Sequence, residues 1–582
     1  MNRSLHVERV LMGAFALVAL NLGRLQLVQG PMYQRLAEQN HLRLLPSSAP
    51  RGRILDRTGL ALAETRAALN VVIVPQETAQ LPPTFSLLAR LLNRPAERLA
   101  QAYRTGKTLP FAPVVVAADI PRETALIIEE RRHQLPGVFI QPQALRAYPE
   151  GVAAAHVVGY IGDIDADELA SMEEYGYRLR DRVGKTGIER RFDAYLRGEP
   201  GGTMVEVDHR GRFVRMRGVR EAAPGRDVQL TISAWLQRQA SQLLGDARGA
   251  CVALDPRNGE VLALVSSPGF DPNIFLQSDS EAKRDILTAS SSPMVQRASG
   301  AAFTPGSIFK IVTATAALES HRATPLSTVL CRGALTLGTQ AMKCWKQDGH
   351  GSMDLRLGLA HSCNVYFGQL GLWAGPEALH AWALQYGLGR PTEIELPGEA
   401  AGSVPSPSWW GGRHWYAGDT AHLAIGQGGL LVTPLQAAVM MAAVGNGGWV
   451  VRPHVVRAIG GVAIAGASAH HLAANPETLA AINAGLRAVV ETPDGTGRRV
   501  YSSRIRIAGK TGTAQTQIAG SPHGWFVGYA PVEDPQLVIV VLLEHGGSGG
   551  DRPSEIARQL FEAWAATRDG SQPPNTKTKH EG

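Results

Sequence analysis

The spacing of apolar and polar positions changes several times along this chain of 582 residues, and it first marks a membrane segment. Residues 10–28 form a nearly continuous apolar run, which as a helix would span about 30 Å of hydrocarbon. Arg3 and Arg9 precede the run and favour a cytoplasmic N-terminus, and no small-residue cleavage site of a signal peptide follows it. The pattern predicts a cytoplasmic tail over 1–9 and an uncleaved anchor over 10–29, with the remainder outside.

Beyond the anchor, the pattern indicates two regions of different character. A helix is expected to continue through 31–45, and the whole of 30–220 mixes short strands with charged helices. Over 226–567, alternating or continuous apolar strands are interleaved with Ala- and Leu-rich helices, which is typical of an α+β domain whose antiparallel sheet carries helices. Residues 568–582 are polar and predicted to be disordered. In the second region, the pattern predicts strands at 504–508, 524–529 and 537–543 and a helix at 311–320.

Composition narrows the class of protein. Hydrophobic residues make up 44% and charged residues 19%, so most of the chain is a folded, soluble body rather than a disordered or polytopic membrane protein. The formal net charge is +7, but no run of Lys and Arg accompanies it. Nucleic acid is therefore not an expected partner.

One short motif combines a nucleophile with a base. Ser307-Ile308-Phe309-Lys310 opens an apolar run that predicts a helix. Residues three apart share a helix face, so the Ser307 hydroxyl and the Lys310 amine would lie within reach of each other. A deprotonated amine could activate the hydroxyl, and the backbone N–H groups of a helix N-terminus would favour a developing oxyanion. The motif predicts Ser307 as nucleophile and Lys310 as its base.

A second motif follows later in the chain and would complete the proton path. Ser362-Cys363-Asn364 is the partner of the S-x-x-K motif in acyl-serine enzymes. Ser362 can relay a proton between Lys310 and a leaving amine, while Asn364 can hold the lysine and a substrate amide.

The third motif is Lys510-Thr511-Gly512-Thr513, which predicts a substrate-binding strand. Lys510 offers positive charge for a substrate carboxylate, and Thr511 to Thr513 would line the substrate. Gly512 has no side chain, so an extended peptide could approach the strand there, and the N–H of Thr513 could complete an oxyanion hole with that of Ser307.

The order of the three motifs separates them from isolated matches. Ser280-Glu281-Ala282-Lys283 also spells S-x-x-K, but it sits among charged residues and is interpreted as a solvated helical face. Gly184–Gly187 also contains K-T-G, but it precedes the nucleophile and lacks the glycine that a phosphate-binding P-loop requires.

With these motifs in this order, the chain resembles class B penicillin-binding proteins, and more closely the elongation-type penicillin-binding protein 2 than its division counterpart. The resemblance covers nearly the whole sequence and implies a transmembrane helix, an elongated mixed α/β pedestal of the dimerisation type over 30–220 and a transpeptidase domain over 226–567. Besides the catalytic motifs it rests on the segments Arg51–Gly59, Gly184–Glu189, Leu196–Gly198, Gly426–Gly428, Thr433–Gln436 and Trp525–Pro531.

The resemblance implies a D,D-transpeptidase, anchored in the inner membrane, that cross-links peptidoglycan in the periplasm during elongation and shape maintenance. Ser307 would attack the D-Ala-D-Ala end of one stem peptide, expel D-Ala and pass the acyl group to an amine of a neighbouring stem. β-Lactams would acylate the same serine, and no cofactor is implied for catalysis. No segment resembles a glycosyltransferase, so the pedestal would dock a SEDS-type glycan polymerase and other elongation partners.

The cysteines need a separate explanation. Cys251 lies in a strand-like apolar segment and is expected in the core. Cys331, Cys344, His350 and Cys363 lie between the first two motifs and could form a tetrahedral zinc set. If the second motif is extended, the Cys363 thiol points away from the cleft, and a metal there would hold the catalytic residues in place. Elongation-type relatives can carry a metal in this segment. The rivals are a disulfide between the first two of these cysteines and inert buried thiols.

Other functions share parts of this pattern. A D,D-carboxypeptidase or a β-lactamase would use the same motifs with water as acceptor, although the long pedestal and the anchor argue against a free lactamase. A non-catalytic penicillin-binding sensor or scaffold would retain the fold alone, but a sensor is expected to carry a cytoplasmic signalling module.

Overall fold

The structure is a computed structural model, and it describes the chain with several gaps. The described residues are 2–30, 32, 42–47, 49–78, 80–107, 112–179, 181–207, 213–277, 280–408, 414–464, 466, 469–515 and 521–568. Apart from residue 568, the predicted disordered tail lies outside them.

The N-terminal segment is helical, as predicted. An α-helix spans Asn2–Gly23 and continues as a π-helical turn over Arg24–Val28. Within it, Val7–Val28 is long and apolar enough to cross a membrane and is not buried against the rest of the chain. A helix that is apolar on every side and finds no protein core is the kind that a bilayer covers.

The chain packs into two compact units. The first comprises residues 1–51, 65–146 and 197–225, and the second 52–64, 147–196 and 226–582. Two segments inside the predicted pedestal, 52–64 and 147–196, thus pack with the C-terminal residues. The domain limits predicted along the sequence stay a prediction.

In the first unit, one expected helix is a strand. Leu42–Ser47 pairs antiparallel with Gly201–Val207, which pairs in turn with Phe213–Arg220. The helix predicted through residue 45 was therefore wrong over 42–45. Leu42, Arg43 and Leu44 alternate apolar and polar, and Pro46 cannot lie inside a helix, so a strand satisfies this segment better.

A second sheet in the first unit is covered by helices. Residues 65–73 of the strand Ala61–Ile73 pair antiparallel with Val114–Ile120 and also pair with Val138–Ala147. The α-helices of this unit beyond the N-terminal one are Leu81–Leu92, Ala96–Gly106 and Arg122–Glu130.

The second unit is built on a five-stranded antiparallel sheet, here called the central sheet, as predicted. Its strands lie in the order Val261–Ser267, Gly249–Leu254, Leu537–Leu543, His523–Ala530 and Ala508–Ala514. Every residue of the first three is buried, because helices cover both faces. Cys251 lies in this core, as expected. The last strand, Ala508–Ala514, is at the edge of the sheet and is called the edge strand.

The edge strand starts later than predicted. The segment 504–508 was expected to be a strand, yet only Ala508 of it belongs to one. Ala508 pairs with Tyr529, and the partner strand ends at Ala530, directly before Pro531, which has no N–H for a ladder.

The remaining α-helices of the second unit surround the central sheet and the catalytic motifs. They are Ala155–Val158, Ala166–Met172, Gly187–Arg191, Asp193–Leu196, Ala234–Leu244, Ser280–Thr288, Lys310–Glu319, Leu355–Ala360, Asn364–Ala374, Pro376–Gln385, Ala417–Ala424, Pro434–Gly445, Pro476–Glu491 and Arg552–Arg568. The short strands are Ile54–Leu55, Ile161–Asp163, Arg182–Gly184, Val228–Leu230, Val329–Cys331, Ala334–Leu337, Gln340–Lys343, Gly351–Met353, Trp449–Val450, Val456–Ile459, Val462–Ala463 and His470–His471.

Candidate active site

The predicted nucleophile lies in a tight turn at the start of a buried helix. Gly306–Phe309 forms a 3₁₀ turn, and the α-helix Lys310–Glu319 follows it directly. In a 3₁₀ turn, residues three apart are eclipsed, so Ser307 and Lys310 still share a face. Ser307 is half-buried, while Lys310 is completely buried.

The second motif surrounds the Lys310 amine. Lys310 Nζ donates to the backbone oxygen of Ser362 at 2.7 Å and to Asn364 Oδ1 at 2.8 Å, and it lies 3.2 Å from Ser362 Oγ. Ser362 has a left-handed backbone with φ of +52°, which is uncommon for a residue with a side chain. In this conformation both its carbonyl and its hydroxyl face the same amine. Such strain is typical of functional positions.

The third motif reaches the same hydroxyl from the edge strand. Lys510 Nζ donates to Ser362 Oγ at 2.9 Å and to the backbone oxygen of Thr511 at 3.0 Å. Lys510 is completely buried, and among the described residues neither lysine forms an ion pair with a carboxylate. The structure therefore brings the five predicted catalytic residues together, with the Ser362 hydroxyl between two amines.

Burial controls the charge of both lysines. It lowers the pKa of Lys310 to about 7, against which the neighbouring thiol groups of Cys363 and Cys344 act in the opposite direction. Burial also lowers the pKa of Lys510, and the positive charge of Lys310 lowers it further. With no carboxylate bonded to either amine, the site disfavours two ammonium groups at once. A neutral Lys310 is the form that can accept a proton.

Three glycines allow the edge strand to approach the nucleophile. A Cβ on Gly306, whose φ is +56°, would lie 2.7 Å from the backbone oxygen of Thr513. A Cβ on Gly512 would lie 2.8 Å from the backbone oxygen of Pro305, and one on Gly426 would lie 2.0 Å from that of Gly306. The room at Gly512 is therefore used by the nucleophile turn, which adds to the expected role of admitting a substrate.

The two threonines of the third motif differ in exposure. Thr513 is exposed on the edge strand, where an extended peptide can reach it. Thr511 is buried, and its hydroxyl donates to Thr496 Oγ1 at 2.8 Å. Thr496 was missed in the sequence, because a threonine between two glycines carries no signal of its own. Its N–H donates to the backbone oxygen of Ala360, so it joins the edge strand to the segment before Ser362.

The predicted metal ligands form one group, here called the thiol cluster. Cys331, Cys344, His350 and Cys363 bring their ligand atoms within 4.8 Å of one another. All four cysteines of the chain are free thiols, so the alternative disulfide is not formed in this structure. The Cys363 thiol donates to Cys344, which lowers the pKa of Cys344 and raises that of Cys363. Cys363 itself is an extended residue that caps the helix Asn364–Ala374.

The thiol cluster is connected to the catalytic network. Asn364 Nδ2 donates to the backbone oxygen of Lys343 at 3.3 Å, and Lys343 is adjacent to Cys344. The amide of Asn364 thus has its nitrogen on the thiol-cluster side and its oxygen on Lys310.

Comparisons with known proteins agree with this arrangement. The model of the family described as penicillin binding protein transpeptidase domain matches residues 249–562, and that of the penicillin-binding protein dimerisation domain matches residues 46–230. The chain is 32% identical to the peptidoglycan D,D-transpeptidase MrdA of Haemophilus influenzae, with 97% of this chain and 93% of that protein covered. It is 30% identical to MrdA of Escherichia coli, with 96% and 94% covered.

Solved structures give the same result. A structure titled as the complex between penicillin-binding protein PBP2 and MreC from Helicobacter pylori is similar at a TM-score of 0.77 and 28% identity, covering 90% of this chain and 99% of that one. A structure titled as structural coordination of polymerization and crosslinking by a peptidoglycan synthase complex is similar at 0.77 and 31%, covering 98% and 99%.

The lowered pKa of Lys310 predicts how acylation depends on pH. Below about pH 7 the amine is protonated and cannot accept the Ser307 proton, so we expect the rate of acylation by penicillin to fall about tenfold per pH unit there and to level off above. Stopped-flow acylation between pH 5.5 and 9, with folding checked by circular dichroism, measures this. A rate that is constant over this range would contradict a Lys310 base.

The close approach at Gly306 can be tested by a methyl group. Gly306→Ala places Cβ against the Thr513 carbonyl and should slow acylation at least about tenfold, because the turn must move away from the edge strand. Gly338→Ala is the matched control, since Gly338 also has a positive φ of +63° but open space around its Cβ. That variant bears only the backbone strain of about 1–3 kcal/mol. Equal acylation rates in the two variants would be evidence against the contact.

Proposed function

The chain belongs to the penicillin-binding protein transpeptidase family, and from this premise we propose that Ser307 is the nucleophile and Lys310 its base. The protein is a peptidoglycan D,D-transpeptidase, a serine-type enzyme, and the name of its MrdA relatives is consistent with cell elongation. The observation that carries the assignment of roles is the bonding of Lys310 and Lys510 to one Ser362 hydroxyl beside Ser307.

Acylation begins with neutral Lys310 taking the Ser307 proton. The Ser307 oxygen then attacks the carbonyl carbon of the penultimate D-Ala, and the backbone N–H groups of Ser307 and Thr513 receive the oxyanion. As the peptide C–N bond breaks, the leaving D-Ala amine takes a proton from the Ser362 hydroxyl. The Lys310 ammonium replaces that proton through its contact with Ser362 Oγ, which returns the lysine to its neutral form.

Lys510 acts on this path through Ser362. Its amine donates to Ser362 Oγ and to the Thr511 carbonyl, which holds the hydroxyl in place and keeps a positive charge available behind it. Direct contact with the substrate carboxylate, expected from the sequence, stays a prediction, because the side chain is completely buried before substrate binds. Exposed Thr513 is the member of the motif best placed to bind that carboxylate.

Deacylation repeats these steps in reverse with a new nucleophile. An amine of a neighbouring stem peptide gives a proton to Lys310, attacks the acyl carbon and forms the cross-link, while Ser307 Oγ regains its proton. Asn364, which is fixed by Lys310 and by the Lys343 carbonyl, orients the donor peptide amide.

We also propose the place of the enzyme and its partners. The helix Val7–Val28 would anchor the chain in the inner membrane with the N-terminus inside and the catalytic unit in the periplasm. The similarity to a penicillin-binding protein complexed with MreC and to a peptidoglycan synthase complex supports partners in the elongation machinery, including a SEDS-type glycan polymerase.

The thiol cluster fits a structural zinc ion. Three sulfurs and one imidazole nitrogen within 4.8 Å of one another match a tetrahedral set, in which ligand atoms lie about 3.8 Å apart. His350 Nδ1 lies 3.6 Å from Cys331 Sγ and 3.5 Å from Cys344 Sγ. Zinc would supply a cross-link among these side chains and no step of the reaction. Cys363, adjacent to Ser362 and Asn364, would then fix the second motif from behind.

The nucleophile can be identified by intact mass. We expect penicillin to form one long-lived covalent adduct on the parent protein and on Ser280→Ala, whose serine belongs to the other S-x-x-K sequence, and none on Ser307→Ala. An adduct on Ser307→Ala would refute the assignment. An adduct on the parent that is hydrolysed within seconds would indicate a β-lactamase instead.

Metal analysis tests the thiol cluster. The purified full-length protein should contain about one zinc ion per chain, and Cys344→Ser should lose it, because a neutral hydroxyl replaces a thiolate ligand. Cys251→Ala, which alters a cysteine in the central sheet, should retain the metal. A metal-free parent whose mass is about 2 Da lower than that of its reduced form would show the disulfide alternative instead.

A further inference from the structure

A second cleft lies in the same compact unit as the catalytic residues but uses none of them. It encloses about 480 Å³ and is called here the lateral cleft. Its lining includes Lys185 to Gly187, the K-T-G sequence that the catalytic set leaves unused, together with Arg190, Phe270, Met294 and Gln296.

Two buried polar atoms in the lateral cleft have no hydrogen-bond partner. They are Thr186 Oγ1 and Gln296 Nε2. A buried donor without an acceptor is rare in native proteins and costs free energy, so each such atom needs a bound partner. The hydroxyl can donate and the amide nitrogen can only donate. An acceptor oxygen therefore satisfies both.

The charges around the lateral cleft also favour an acceptor. Its lining contains no Asp or Glu. Lys185 is already paired with Glu168 and lies 3.5 Å from Asp165, whereas Arg190 is exposed and forms no ion pair with any described residue. His156 is not a candidate ligand, because its Nε2 is bonded to the Pro293 carbonyl and burial lowers its pKa to about 4. One guanidinium and two neutral donors remain.

We propose that the lateral cleft binds the free α-carboxylate of a short peptide. A carboxylate has two acceptor oxygens and no donor, so it can bond Thr186 and Gln296 together and pair with the planar guanidinium of Arg190. Phe270 and Met294 provide an apolar wall for a small side chain next to the carboxylate. Uncross-linked stem peptides end in this chemistry, and the choice of peptide, but not of carboxylate, rests on the proposed function.

The test separates this cleft from the active site. Full-length protein is first acylated with benzylpenicillin, with complete acylation checked by mass, so that Ser307 is blocked. N-acetyl-D-Ala-D-Ala and its C-terminal amide are then titrated by isothermal calorimetry. We expect the carboxylate form to bind and the amide to bind at least about tenfold more weakly. Failure to acylate would count against the proposed function, while the lateral cleft is judged on the titration.

Variants locate the binding. Arg190→Ala and Gln296→Leu should each raise the dissociation constant about tenfold, while Arg284→Ala, an exposed arginine on the helix Ser280–Thr288, should not change it. Arg190 is exposed, so its variant should keep the melting temperature of the parent. Equal affinity for the amide, unchanged affinity in both cleft variants, or no binding up to about 10 mM would overturn the proposal. A crystal structure of the acylated protein soaked in the peptide that shows only an ordered water between Thr186 and Gln296 would also overturn it.

Discussion

Two lysine amines are buried around one hydroxyl, and the active site depends on the free energy of that burial. Lys310 and Lys510 are completely buried, both contact Ser362 Oγ, and neither is bonded to a carboxylate in the described part of the chain. An ammonium in such a site loses its hydration without an opposite charge in return, so the neutral form of Lys310 is stabilised near pH 7. An amine that is an ordinary solvated cation at the surface thereby becomes a general base.

The rest of the second unit supports this arrangement from three sides. The central sheet holds Lys510 on its edge strand, and the glycines at 306, 426 and 512 allow backbone contacts that any side chain would prevent. Behind the second motif, the thiol cluster and the Lys343 carbonyl fix Cys363 and Asn364. Each support acts on geometry, and together they hold polar groups in a site where an ill-placed partner would leave a buried amine unsatisfied.

Much of this could be predicted from the sequence, because it is encoded locally. The strands 524–529 and 537–543 and the helix after Ser307 were predicted from periodicity and are confirmed with limits that differ by at most a residue. Contacts between distant segments could not be. Thr496 reaches Thr511 only because the fold brings them together, and the strand Leu42–Ser47 finds its partner more than 150 residues later. Order of motifs suggested the catalytic set, but the bonding of both lysines to Ser362 needed the structure.

The central claim is that Lys310 is neutral at working pH, and an NMR titration of the lysine amines measures this directly. Protein carrying labelled lysine is compared with Lys310→Met to assign the signal, and its chemical shift is followed with pH. The account predicts a pKa of about 7 for Lys310. A pKa near 10.4, the value of a solvated lysine, would show that the amine stays protonated and would contradict its role as the base.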